Sequence, residues 1–207
     1  MENRDYRIES SEQLQSLIGE PHPLVQKKVF RALDEAAIVF IKRSPFIVLS
    51  TADAEGNQDA SPKGDGPGFV VVENENTLLI PERKGNKLMF GLHNILNNPQ
   101  VGMIFLVPGT NETLRVNGTA ELTNDPALLD RLVARGAPAL LATRVTVKEC
   151  FFHCAKAFLR SQLWKPETWP AREQISFGKM LVAKVGGDQG MAAQIDKLIE
   201  HDYKTNL

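Results

Sequence analysis

The chain has 207 residues, with 24 Lys plus Arg against 25 Asp plus Glu, a formal net charge of −1. A chain this long buries roughly 70% of its extended surface, enough for a core without disulfides or a structural metal. The charge balance argues against bulk electrostatic binding of nucleic acid. No run approaches the ~20 apolar residues that a membrane-spanning helix needs, and the N-terminal MENRDYRIESSEQLQ lacks the apolar middle of a signal peptide. A cytoplasmic location with no membrane partner is the default expectation.

In chain order, residues 1–44 read as an N-terminal helical extension. Pro21 and Pro23 break its first part, and a helix over 34–43 follows with Asp34 at its start. Residues 45–52 are apolar and β-branched, 53–57 are a turn cluster, and 58–61 are extended again, which makes a hairpin. Residues 62–68 (Pro-Lys-Gly-Asp-Gly-Pro-Gly) read as a loop. A second hairpin joins 69–73 to 77–80 and ends at Pro81. A helix is expected over 86–97, with Leu88, Leu92, Ile95 and Leu96 as its apolar stripe, stopped by Asn97-Asn98-Pro99. Strands follow at 101–107 and 113–122, then a helix at 125–134. Residues 142–152 are a long strand in which Val145 and Val147 alternate with polar residues. A short helix over 155–163, a Trp-bearing loop with Pro166 and Pro170, and a helix over 191–201 close the chain. Strands joined by short turns dominate, so the expectation is mainly β: a barrel or sandwich over 45–165 with peripheral helices. Residues 166–207 are expected to pack on it as a loop and helix.

Three segments could carry chemistry. In Pro81-Glu-Arg-Lys-Gly-Asn-Lys87, cations, a glycine and a helix start come together. Those are the parts of a phosphate site; a solvated basic turn is the alternative. Asp59-Ala-Ser-Pro-Lys-Gly-Asp-Gly-Pro-Gly68 offers a hydroxyl, a cation and open backbone groups, or is only a flexible connection. It matches neither a Walker loop nor a G-x-G-x-x-G fingerprint. In Cys150-Phe-Phe-His-Cys-Ala-Lys-Ala-Phe-Leu-Arg-Ser-Gln-Leu-Trp164, helical spacing puts Lys156 and Arg160 on one face near an indole. Such a set grips an anionic aromatic ligand, or is an ordinary amphipathic helix. Cys150, His153 and Cys154 lack a second ligand pair, since His22, His93 and His201 stand alone. Structural zinc wants paired spacing, so no metal is expected. The two cysteines are too close in sequence for a disulfide along a strand. No G-x-S-x-G or other nucleophile signature occurs.

These segments, taken in order, resemble the pyridoxamine 5′-phosphate oxidase-like family of FMN-binding split barrels. The resemblance runs from about Pro45 to Trp164. Its most specific parts are F-I-V-L-S-T-A-D-A-E-G-N-Q-D-A-S-P-K-G-D, L-L-I-P-E-R-K-G-N-K-L, E-T-L-R-V-N-G-T-A-E-L and C-F-F-H-C-A-K-A-F-L-R-S-Q-L-W. It implies a six-stranded antiparallel Greek-key split barrel, forming a homodimer with FMN between subunits. Arg83 and Lys84 would hold the FMN phosphate, completed by Gly85, Asn86 and Lys87. Ile80 and Pro81 would pass beside the ring, and Ser61, Pro62, Lys63 and Gly64 would line its opposite edge. Lys156, Arg160, Ser161 and Trp164 would reach the cofactor, either in the same subunit or from the partner subunit. The substrate-binding C-terminal segment of true pyridoxamine phosphate oxidases is not found, so vitamin B6 oxidation is not implied. The implied function is a flavin-dependent oxidoreductase acting on an unassigned substrate. A flavin-binding or sensing protein without turnover, and a deazaflavin- or haem-binding relative, are the alternatives.

Overall fold

The structure, a computed structural model, describes residues 6–206. The first five residues of the expected extension, and Leu207, lie outside the described residues. Seven strands form one antiparallel sheet: β1 (Phe46–Ala52), β2 (Gln58–Gly64), β3 (Val71–Asn74), β4 (Thr77–Glu82), β5 (Gln100–Leu106), β6 (Thr113–Thr123) and β7 (Leu141–His153). Their order is β2-β1-β5-β6-β7-β4-β3. The architecture is the expected mainly β split barrel with peripheral helices. The six strands implied by the resemblance become seven, matching the seven extended segments read from the residues.

The period-2 pattern decides which side each residue faces. Ile47 and Leu49 of β1, Met103 and Phe105 of β5, Leu114 and Val116 of β6, and Val145 of β7 are all buried in one core. Helix α3 (Glu35–Arg43) closes one end of that core with Ala37, Phe40 and Ile41. Its Ala37 N–H donates to Asp34 Oδ1 at 2.8 Å, as expected of a capping aspartate. The described part of the extension also holds α1 (Ser11–Ile18) and α2 (Pro23–Gln26).

Strand β2 runs through Pro62 to Gly64, where a loop was expected. It is an edge strand, so the N–H that proline lacks is not required by a second neighbour. Strand β7 runs seven residues past its pairing with β4, which ends at Thr146. Phe30 takes part of the exposed edge, exchanging main-chain bonds of 2.9 and 2.8 Å with Cys150. A bulge at Asn117/Gly118 bends the long β6–β7 ribbon.

The helices depart further from the sequence reading. Helix α4 spans Phe90–Asn97 and starts four residues later than expected. Asn86 Oδ1 accepts from the Leu88 N–H at 3.1 Å, a local turn that competes with helix. Lys87 and Met89 then take left-handed φ values of 61° and 56°, which a helix interior does not contain. Leu88 and Leu96, expected on the buried stripe, are exposed, whereas Ile95 is buried. The helix expected at 125–134 is only α5 (Pro126–Leu129) and a 3-10 turn at Asp130–Leu132. The short helix expected at 155–163 is α6 (Lys156–Ser161).

At the C-terminus α7 (Phe177–Val185) was not foreseen, and α8 (Gln189–Thr205) is longer than expected. They pack on each other through Gly178, where an added Cβ would lie 2.0 Å from Ala192 O. A helix-interior glycine weakens the sequence signal for helix, yet close packing requires it. Asp196 ties the pair, accepting from Ser176 Oγ at 2.5 Å and the Gly178 N–H at 2.7 Å. Among the described residues no helix is long and apolar enough to cross a membrane.

At the bulge, a Cβ on Gly118 would lie 2.2 Å from Thr146 O, a main-chain atom that cannot swing away. Gly118→Ala should therefore cost about 2–3 kcal/mol. A urea titration should show a clearly lowered midpoint; an unchanged midpoint contradicts the packing described.

Candidate functional site

The sheet leaves β2 and β4 without a backbone ladder between them, and side chains bridge the gap. Lys63 Nζ at the end of β2 meets Glu82 Oε2 at the end of β4 at 2.7 Å. Just beyond, Asp65 Oδ2 accepts from Arg83 Nε at 3.1 Å. The Asp65 side chain is 5% exposed. Its other oxygen, Oδ1, accepts from Arg135 Nη1 and Nη2 at 3.2 and 3.1 Å. A buried carboxylate with two guanidinium partners is held in one place.

Beside this seam lies a cavity of about 280 Å³. Asp59, Ser61 and Lys63 of β2 form one wall, and Glu82 and Arg83 another. The segment 85–89, the first turn of α4, and Leu140 and Leu141 complete it. The first turn of α4 has no side-chain cap, so its N–H groups keep their positive end uncompensated by a capping oxygen. Gly91 lets that turn sit against β2: a Cβ there would lie 3.4 Å from Asp59 Oδ2 and 3.7 Å from Ser61 Oγ.

One atom marks the cavity chemically. Among the described residues two buried side-chain donors, Arg83 Nη1 and Arg115 Nε, have no hydrogen-bond partner, and the first belongs to a residue that lines the cavity. An unmatched buried donor costs about 1–3 kcal/mol, more when the group is charged. Asp65 engages the Nε side, which fixes the guanidinium and leaves Nη1 as the unmatched donor. An anionic oxygen fits that atom, and the phosphate of FMN is such a group.

Of the residues singled out from sequence, Ser61, Lys63, Arg83, Gly85, Asn86 and Lys87 line this one cavity. Lys63 differs from expectation in one respect: Glu82 neutralises its charge, so it is not a free cation beside a ligand. Ile80 is fully buried in the core, and Pro81 is paired in β4 opposite Ala142. Pro62 and Gly64 lie on β2, and Lys84 is exposed in the turn after β4. Asp65 and Arg135 were not foreseen, because their contacts with each other and with Arg83 span 70 and 18 positions.

Lys156, Arg160, Ser161 and Trp164 stand elsewhere. Leu141, the first residue of β7, lines the cavity, and α6 follows the last residue of that strand, His153. Thirteen extended residues span roughly 40 Å of contour, so within one chain the third segment does not share the cavity. The Trp164 indole is also engaged internally: Nε1 donates to Thr110 O at 2.8 Å, and its ring stacks on Phe158 at 5.6 Å. Lys156 and Arg160 are exposed, and among the described residues neither has an acidic partner. Around them, Lys28 and Arg115 sit over the Phe151 ring at 4.8 and 4.1 Å. Burial, with Arg115 and Lys28 nearby, holds the His153 imidazole below its ordinary range. No group of three or more metal-ligating side chains forms among the described residues.

The family model for pyridoxamine 5′-phosphate oxidase matches residues 33–154, more than half of the chain. No curated protein matches. Similar solved structures include HupZ of Group A Streptococcus, with 18% identity over 58% of this chain and 93% of that one and a TM-score of 0.48. An FMN-binding protein from Syntrophomonas wolfei shows 10% identity over 57% and 82%, with a TM-score of 0.45. General stress protein 26 from Bacillus anthracis shows 16% identity over 56% and 89%, with a TM-score of 0.42.

The two thiols sit in opposite environments. Burial, with Asp34 nearby, pushes the Cys150 thiol up, and its Sγ is bonded to Ala32 O at 3.2 Å. Cys154 is exposed, and the Lys156 main chain, aided by the Lys156 and Lys28 charges, pulls its thiol down. The thiolate is the reactive form. Iodoacetamide at mildly alkaline pH should label Cys154 well before Cys150, as read by peptide mass spectrometry. Equal labelling of the folded protein contradicts this assignment.

Proposed function

The chain belongs to the pyridoxamine 5′-phosphate oxidase family, and from that premise we propose that it binds FMN at the β2–β4 seam as a flavin-dependent oxidoreductase. The unmatched, buried Nη1 of Arg83 is the observation that carries this reading. A phosphate monoester brings roughly −1.5 to −2 charges at neutral pH. Arg83, already fixed by Asp65, offers it a directed donor, and the uncapped first turn of α4 adds a favourable field. Lys84, Gly85, Asn86 and Lys87 flank the same end. Ser61 and Lys63 face the cavity from β2 and would hold the edge of the ring. When bound, the flavin supplies the redox chemistry; the protein supplies binding, orientation and exclusion of water.

The complete site is proposed to need two copies of the chain. The cavity is at the lower end of the about 300–1,000 Å³ that encloses a ligand of this size, so more wall is required. The outer face of β1 and β5 offers a surface for a second copy: Phe46 and Ile104 on it remain 37% and 39% exposed. A two-fold dimer would also bring Lys156, Arg160, Ser161 and Trp164 of one copy toward the cavity of the other.

The purified protein should show the paired near-ultraviolet and blue absorption bands of oxidised flavin; a Soret band instead overturns the reading. Arg83→Ala should weaken FMN by about 1.5–3 kcal/mol, roughly 10- to 150-fold, while leaving riboflavin, which has no phosphate, little changed. Equal losses for both flavins would mean that Arg83 does not read the phosphate. Light scattering should give close to twice 22.9 kDa. A monomer that binds flavin tightly rules out the two-chain site.

A further inference from the structure

Resting on the FMN reading of the cavity, we infer that Arg135 is a second phosphate-reading guanidinium, delivered to the site by a reverse turn. Ala134 and Ala137 exchange main-chain bonds of 3.0 and 2.9 Å. The two residues between them, Arg135 and Gly136, both have positive φ, 50° and 75°. That is the conformation of a tight two-residue hairpin loop, and it is unfavourable for an arginine. Asn, Asp or Gly would adopt it more easily. The strain is balanced by where the side chain goes: 70 positions back in sequence, onto a nearly buried carboxylate.

Asp65 thereby holds two guanidinium groups, one on each oxygen, at the edge of the cavity. Two cations and one anion leave a net positive charge there, and the neighbouring Lys63–Glu82 pair adds none. A group that one carboxylate bridges is also bridged by a phosphate, which offers more oxygens in a similar span. Arg83 is the fixed member, three-quarters buried with Nη1 free. Arg135 is the outer member: its side chain is 52% exposed, and it sits on the turn closed by Ala134 and Ala137. The phosphate binds against Arg83, and Arg135 closes over it from outside while Asp65 keeps the pair in register. The residue types and spacing around Arg135 match no anion motif; only the long-range contact places it here.

The test is titration of apoprotein with FMN and with riboflavin for Arg135→Gln, Arg135→Lys and Arg83→Ala. Arg131→Gln serves as control, because Arg131 pairs with Glu73 rather than with Asp65. Arg135→Gln should weaken FMN about 5- to 20-fold and riboflavin less than twofold, with Arg135→Lys in between and Arg131→Gln unchanged. Equal weakening of both flavins by Arg135→Gln makes Arg135 a structural tie and overturns the inference. So does no weakening of either, provided Arg83→Ala still discriminates between them. If Arg83→Ala also fails to discriminate, the phosphate reading of the cavity falls as well.

Discussion

The ion pairs across the β2–β4 gap are what the rest of the molecule depends on. Elsewhere the barrel is held by antiparallel ladders, but β2 and β4 stand at opposite sides of the strand order and share none. Lys63–Glu82 and Asp65–Arg83 close that gap with charge. Charged side chains at an open seam do two things at once. They join the walls, and they leave donors and acceptors in a place sheltered from bulk water, where their interactions are stronger.

Asp65 also sets one cation of the cavity apart from the others. The exposed lysines of the 84–87 turn are mobile point charges, and surface charges of that kind contribute little. Arg83 is different because its orientation is set before any ligand arrives. The length of β7 then separates this end of the barrel from α6, whose cations have no acidic partner of their own among the described residues. The two-fold pairing proposed above would bring these two ends of the strand together.

Much of the β framework was legible in the sequence, because alternation along a strand and glycine- or asparagine-rich turns are local signals. Seven extended segments became seven strands, and even the proline in β2 is explained once that strand is placed at an edge. The segment after β4 was legible in part: the strand runs one residue past the stop expected at Pro81, and Arg83, Gly85 and Lys87 beyond it line the cavity. The start of α4 was not, because the apolar spacing of Leu88 suggests helix while the Asn86 side chain holds a turn. Helix α7 was hidden by Gly178, whose value lies in a contact with Ala192 that no local pattern records. Asp65 and Arg135 were invisible for the same reason: their roles are set by tertiary contact.

The most direct test of the account is a crystal structure of the FMN complex. The account places a phosphate oxygen about 2.7–2.9 Å from Arg83 Nη1, the range of charge-assisted hydrogen bonds, with Asp65 still on Nε. A complex in which the phosphate lies elsewhere and Nη1 remains unmatched would contradict it.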